Sequence, residues 1–297
     1  MKKFILSLLN IILPYGTRRR EFCKNCLFMI LNFFKFKNTS SAFYSNVHDE
    51  ISFFERQKLL RLKNKFKGKR CFIVGNGPSL NKANLNLLKN EFCFAVNGIF
   101  YKTDEMGFVP SFYMVEDGHV VDDNLFRINS YQTPYKFFPS IYKDKITHTK
   151  NTYFFSADLG FYRSTHPSYC IPRFSKDFSK VAYAGQSVTY LNMQLAYFLG
   201  FTEVYLIGMD FNYVIRESDK TAGLSITTND ADINHFHPEY FGYGKKWHDP
   251  KVDRVALNYE MAKKVYEKDG RKIYNATIGG KLEIFERVDY DSLFEKK

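Results

Sequence analysis

The segment "NHFHPEYFGYGKKWHDP", residues 234–250, gathers His235, His237, Tyr240, Tyr243, Trp247 and His248. An imidazole titrates near neutral pH, so a histidine here suits a general base that deprotonates an acceptor hydroxyl. Tyrosine hydroxyls can hold a phosphate leaving group by hydrogen bonds. Two histidines two residues apart could bind a metal, but no ligand set of recognisable spacing completes the site. No metal is expected.

Four further stretches carry polar groups at places where chain direction changes. In "CFIVGNGPSL", residues 71–80, an apolar run ends in Gly75-Asn76-Gly77-Pro78-Ser79. Glycines let a backbone approach a ligand, and a following helix start favours an anion. A plain strand–helix turn with Ser79 as N-cap is the competing reading. The turn is neither a Walker A motif nor a full G-x-G-x-x-G. Asn97 ends a second apolar run, "FAVNG", where it reads as a ribose or base contact or as a turn former. In "AYAGQSV", Gly185, Gln186 and Ser187 precede a helix and are candidates for phosphate or sugar contacts, or a simple cap. Asp210, in "GMDFNY", follows another apolar run and suits a hydroxyl, a metal or a backbone N–H.

The elements that must position these residues alternate. Strands are expected at 71–75, 92–97, 111–115, 152–156, 203–208 and 272–276, and helices at 79–90, 185–199 and 250–269. Such alternation implies an α/β fold with a doubly wound, Rossmann-like, mostly parallel sheet and helices on both faces. Ligands then bind beyond the carboxyl ends of the strands. Residues 214–247 lack periodicity, and a loop of that length reads as a lid-like functional region. Residues 67–297 are expected to form the nucleotide-binding catalytic domain.

The chain of 297 residues carries a net charge of +12. Residues 1–70 hold 16 Lys/Arg against 4 Asp/Glu, and the remainder is neutral with 27 of each. A neutral body argues against a nucleic-acid groove. The basic segment 1–66 has apolar runs at 4–13 and 26–34 punctuated by Arg18, Arg19, Arg20, Lys24, Lys35 and Lys37. It reads as amphipathic helices lying on an anionic membrane surface, with a helix at about 49–66. The first run is too short to span a bilayer. Five scattered cysteines fit a reducing compartment. Cys23-x-x-Cys26 lacks the second pair that a zinc site needs.

The ordered set "IVGNGPSL", "FAVNGIF", "AGQSVTYLNMQLAYFLGFTEVYLIGMDF" and "HDPKVDRVAL" resembles the bacterial lipooligosaccharide sialyltransferases of glycosyltransferase family 42. It is also similar to the wider superfamily, which includes flagellin-modification and pterin-pyrophosphokinase-like proteins. The resemblance covers about residues 69–280. It implies metal-independent transfer of a sialic-acid-like sugar from a CMP-linked donor to a hydroxyl of a lipid-linked or surface glycan. Gly75–Ser79 and Asn97 would hold the nucleotide, with Gly185, Gln186, Ser187 and Asp210 beside them. His248, followed by Asp253, takes the place of the catalytic base, and Tyr240 or Tyr243 that of the phosphate-binding tyrosines. No cofactor beyond the nucleotide-sugar co-substrate is implied. The enzyme would sit in the cytoplasm, peripheral on the inner membrane face, as a monomer or a homo-oligomer. A phosphotransferase using ATP and Mg²⁺, with Asp230, Asp232 and Glu239 near Asp210, is the alternative. A membrane-docked nucleotide-binding module without turnover is the third reading.

Overall fold

The computed structural model describes residues 51–222 and 225–295. The membrane-associating helices expected within residues 1–50 lie outside them. Among the described residues no helix is long and apolar enough to cross a membrane.

Among the described residues, thirteen strands run in chain order: β1 (Arg70–Val74), β2 (Cys93–Val96), β3 (Phe112–Met114), β4 (Tyr135–Pro139), β5 (Thr152–Phe155), β6 (Ala157–Asp158), β7 (Ala182–Tyr183), β8 (Glu203–Ile207), β9 (Lys220–Ala222), β10 (Ser225–Thr227), β11 (Lys246–His248), β12 (Lys272–Asn275) and β13 (Glu286–Arg287). Among the described residues, four helices of eight residues or more accompany them: α1 (Phe53–Leu60), α2 (Gly118–Ser130), α3 (Val188–Leu199) and α4 (Val252–Lys268). The main sheet has the order β13-β12-β8-β1-β2-β3-β4-β5, and every pairing in it is parallel. The α/β doubly wound fold is therefore present. Strand order reverses between β1 and β8, which opens a crevice at their carboxyl ends.

Strand residues alternate between two cores. Cys71 and Ile73 of β1 join Phe94, Phe112, Phe137, α3 and α4 on one face. Phe72 and Val74 join Ala95, Tyr113, Val120 and Ile128 on the other. A sheet covered on both sides needs strands that are largely apolar; β2 and β3 are apolar throughout, and β1 is after Arg70. Helix α3 is buried along its whole length. Its polar Gln194 is tolerated there because it accepts from Ser175 N–H and Tyr183 N–H and donates to Tyr183 O. Ser187 caps the start of α3, and Gly200, at φ 96°, ends it.

Three expectations need correction. Residues 79–90 do not form one helix; they form two 3-10 turns, Pro78–Lys82 and Leu85–Leu88. Strand β4 and helix α2 were not expected. The boundary at 66/67 is also displaced, because residues 51–66 belong to the α/β body. Leu59 and Leu62 lie in its core, and the Phe66 ring stacks on Phe201 at 5.2 Å. Lys58 Nζ donates to Thr152 O on β5. Within the expected lid-like region 214–247, β9, β10 and the start of β11 pair antiparallel, and its other described residues carry neither helix nor strand.

If α1 is part of the body, Leu59→Ala should lower global stability by about 2–5 kcal/mol, as for a fully buried leucine. Chemical denaturation measures this. A change near zero would detach residues 51–66 from the core.

Candidate functional site

A cavity of about 450 Å³ opens beyond the carboxyl ends of β1, β2, β3 and β8. Its floor is the turn after β1. Asn76 Nδ2 donates to Val96 O at 3.0 Å and to Tyr240 Oη at 2.7 Å. Because Val96 O can only accept, the amide orientation is settled. Asn76 Oδ1 is buried without a protein partner. So is Oδ1 of Asn97, which ends β2 in a left-handed conformation, φ 45°. Gln186 repeats the pattern at φ 65°, with Oε1 buried and unpartnered. Three residues of one cavity wall thus carry amide oxygens that are buried without a protein partner.

The glycines serve the protein itself. A Cβ on Gly77 would collide with Asp210 Oδ2, and one on Gly75 would lie 2.5 Å from Gly208 O. A Cβ on Gly185 would strike Tyr190 and Asn258, and Gly185 is not part of the cavity wall. The expected close approach to a ligand is therefore corrected at Gly185. Ser79 is corrected too, and Asp210 takes a backbone N–H, one of the partners expected for it. The Asp210 carboxylate accepts from Ser79 N–H at 3.2 Å and from Ser79 Oγ at 2.6 Å. It occupies the turn's amino end, where an anion was expected. Asp210 borders the cavity, but Ser79 is buried behind it. Ser187 faces the cavity while acting as the N-cap of α3, accepting from Thr189 N–H, and its Oγ lies 3.1 Å from Tyr259 Oη.

The segment between β3 and α2 supplies the opposite wall through Glu116 and Asp117. Asp117 caps α2 by accepting from His119 N–H at 2.8 Å. Its other oxygen lies 3.1 Å from His248 Nδ1. A carboxylate only accepts, so the Nδ1 proton points at Asp117 and Nε2 is left as the basic nitrogen. The His119 ring stacks on His248 at 4.4 Å. The hydrogen bond to Asp117 pushes the His248 pKa above the usual histidine value; burial opposes this, and the Asp117 and Glu116 charges add to it. Burial pushes Asp117 up, but His248 and the His119 N–H outweigh it and leave the carboxyl below its usual range. Burial, with the Asp117 charge, pushes Glu116 up to about 7 against Tyr162 and His248. Tyr162 Oη donates to Glu116 at 3.0 Å and accepts from Gln186 N–H at 3.1 Å.

His235 lines the cavity, and its Nδ1 lies 2.7 Å from Asp232 Oδ2. His237 stacks on Tyr101 and lies outside the cavity wall. The two tyrosines separate. Tyr240 is buried in the wall, and its hydroxyl accepts from Asn76 and from Gly98 N–H at 3.2 Å. Tyr243 is 81% exposed and away from the cavity, which corrects its expected role. The partner of His248 is Asp117; Asp253 is exposed in the first turn of α4. Sequence reasoning passed over Glu116, Asp117, Tyr162 and the Asp232 pairing. The signal for the first two was "VEDG", two acids directly after an apolar strand.

A model of the family described as 6-hydroxymethylpterin diphosphokinase MptE-like matches residues 44–216, more than half of the chain. The chain belongs to the MptE-like family. The match takes in Asn76, Asn97, Glu116, Asp117, Gln186 and Asp210, and ends before the histidine segment. A structure of MAf glycosyltransferase from Magnetospirillum magneticum AMB-1 is similar over 80% of this chain and 38% of its own, with 14% identity and a TM-score of 0.44. A comparison with curated proteins finds no match. The MptE-like chain thus spans well under half of the MAf chain's length.

Asp117→Asn should lower the titration midpoint of His248 toward the free-imidazole value of about 6.5, followed by NMR of the ring protons. An unchanged midpoint would show that Asp117 is not what raises it. Gly77→Ala should destabilise by about 1–3 kcal/mol, as overpacking does, read as a lower unfolding midpoint.

Proposed function

We propose that this MptE-like chain is a glycosyltransferase that binds a CMP-linked, sialic-acid-like sugar in the cavity and transfers it to a hydroxyl of a surface glycan. The observation that carries this reading is His248, held through Nδ1 by Asp117 with Nε2 left as the basic nitrogen. The cavity lies at the β1/β8 crevice, where sheets of this kind take nucleotides. Asn76, Asn97 and Gln186 border that crevice with polar side chains of the kind that contact a nucleoside.

In the reaction, His248 Nε2 takes the proton of the acceptor hydroxyl, whose oxygen attacks the anomeric carbon. The bond from that carbon to the phosphate oxygen breaks, and its electron pair stays on the nucleotide. Asp117 fixes the tautomer and stabilises the imidazolium that forms, as a carboxylate does for a general-base histidine. The acceptor in this reading is lipid-linked. The basic segment before residue 51 would bring the enzyme to the inner membrane face.

The family's description favours a second reading, diphosphoryl transfer from ATP with Mg²⁺. The acids once considered for it are dispersed. Asp232 is engaged by His235, Asp230 pairs with Arg216, and neither Asp230 nor Glu239 borders the cavity.

A thermal-shift panel of CMP, UDP, GDP, ATP and their sugars, with and without Mg²⁺, separates the two. CMP compounds should raise the unfolding midpoint without Mg²⁺, by about 2.7 kcal/mol of stability at a hundred times Kd. A shift with ATP and Mg²⁺ alone would overturn the glycosyl reading. His248→Gln should keep the CMP shift and reduce kcat by about 10²–10⁴. Because His248 must be neutral to act, activity should rise with pH through a midpoint above that of free histidine. Asp117→Asn should move that rise to lower pH.

A further inference from the structure

The cavity holds a second carboxylate–imidazole pair. His235 Nδ1 meets Asp232 Oδ2 at 2.7 Å, and both side chains are nearly buried. Asp232 is itself held by the N–H groups of Asn234 at 2.8 Å and Phe241 at 2.9 Å. The His235 ring lies flat on Tyr240, with centroids 4.2 Å apart and planes 3° from parallel. Tyr240 cannot swing away, because its hydroxyl is tied to Asn76 and Gly98. Among the described residues, Nε2 of His235 is left without a bond to the protein.

The pair's place in the fold says what it faces. Its segment is pinned to the turn after β1: Phe236 N–H donates to Asn76 O at 2.8 Å, and Asn81 Nδ2 donates to Phe236 O at 2.9 Å. His235 thus belongs to the β1 side of the crevice, whereas His248 belongs to the β3 side through Asp117. Of the other expected phosphate contacts, Tyr243 is outside the cavity and Asp210 fills the amino end of the Pro78–Lys82 turn, while the Tyr240 hydroxyl accepts two bonds and keeps its own proton to donate.

We infer that His235, positioned by Asp232, is a second catalytic residue of this cavity and meets the phosphate of the bound donor. The inference rests on the nucleotide-donor reading above. When the carbon–oxygen bond to the phosphate breaks, the electron pair remains on the phosphate oxygen. His235 Nε2 faces that oxygen and donates a hydrogen bond to it as its charge develops, while His248 takes the proton of the acceptor and returns it to solvent. Asp232 is a positioning residue: it keeps Nδ1 protonated and Nε2 turned inward.

The test compares binding of CMP with binding of cytidine by calorimetry, in the full chain and in His235→Gln, Asp232→Asn and Tyr213→Phe. Tyr213 is the control because its ring also borders the cavity. Wild type should prefer CMP over cytidine. His235→Gln should cut that preference about tenfold or more, the scale of a hydrogen bond to a charged group, while cytidine affinity holds. Asp232→Asn should cut it in the same direction, and Tyr213→Phe should leave it intact. A purely structural histidine would weaken both ligands together. An unchanged preference in His235→Gln, or a loss found only in Tyr213→Phe, would overturn the inference. If wild type binds neither CMP nor cytidine, the donor reading itself fails.

Discussion

The contact that the site depends on is the Asp210 carboxylate closing over Ser79. It joins the end of β8 to the turn after β1, across the point where strand order reverses. Two strands that part in opposite directions leave unsatisfied backbone between them. Here Gly75 N–H donates to Ile207 O, Gly77 N–H to Gly208 O, and Ser79 N–H to Asp210. The approach is so close that no side chain fits at residue 75 or 77. The seam is a continuous ladder of protein bonds, and the cavity is what remains above it.

From that seam the two histidines acquire different surroundings. The segment carrying His235 is bonded down onto Asn76. The strand carrying His248 is instead drawn to the cap of α2. Asp117 therefore has two duties, one for each oxygen: it starts a helix and it orients a base. Glu116, one residue earlier, is kept from full ionisation near neutral pH by burial and by that same neighbour. The charge balance of the β3 wall thus follows from two consecutive acids placed where a strand ends and a helix begins.

Much of this architecture was legible in the chain. Apolar runs ending in Gly75, Asn97 and Gly208 marked the central strands, because strands buried on both faces are apolar throughout. The strand "YKFFP" was obscured by Lys136, whose ammonium is buried against the Ile128 and Asn129 carbonyls at the end of α2. Helix α2 was obscured by its mixed composition and by a kink at Asn124. Pro78 and Ser79 imitate a helix start, yet the turn they open closes after one 3-10 loop. The histidine cluster was recognisable as chemistry, but its partners were not. Asp117 lies 131 residues from His248, a distance that no local spacing encodes. Gly185 was read as room for a ligand, whereas Tyr190 and Asn258 take that room.

Asn97, Gln186 and Phe211 border the cavity with backbones at φ 45°, 65° and 54°. Each such residue stores about 1–3 kcal/mol of strain that the surrounding fold must over-determine. Walls made this way are already in place when a ligand arrives. They also limit how the family can diversify. Exchanging one side chain leaves the outline of the cavity as it was, because the outline is drawn by the backbone. A relative that accepts a differently shaped ligand would need different loops after β2, before α3 and after β8, changed by insertion or deletion.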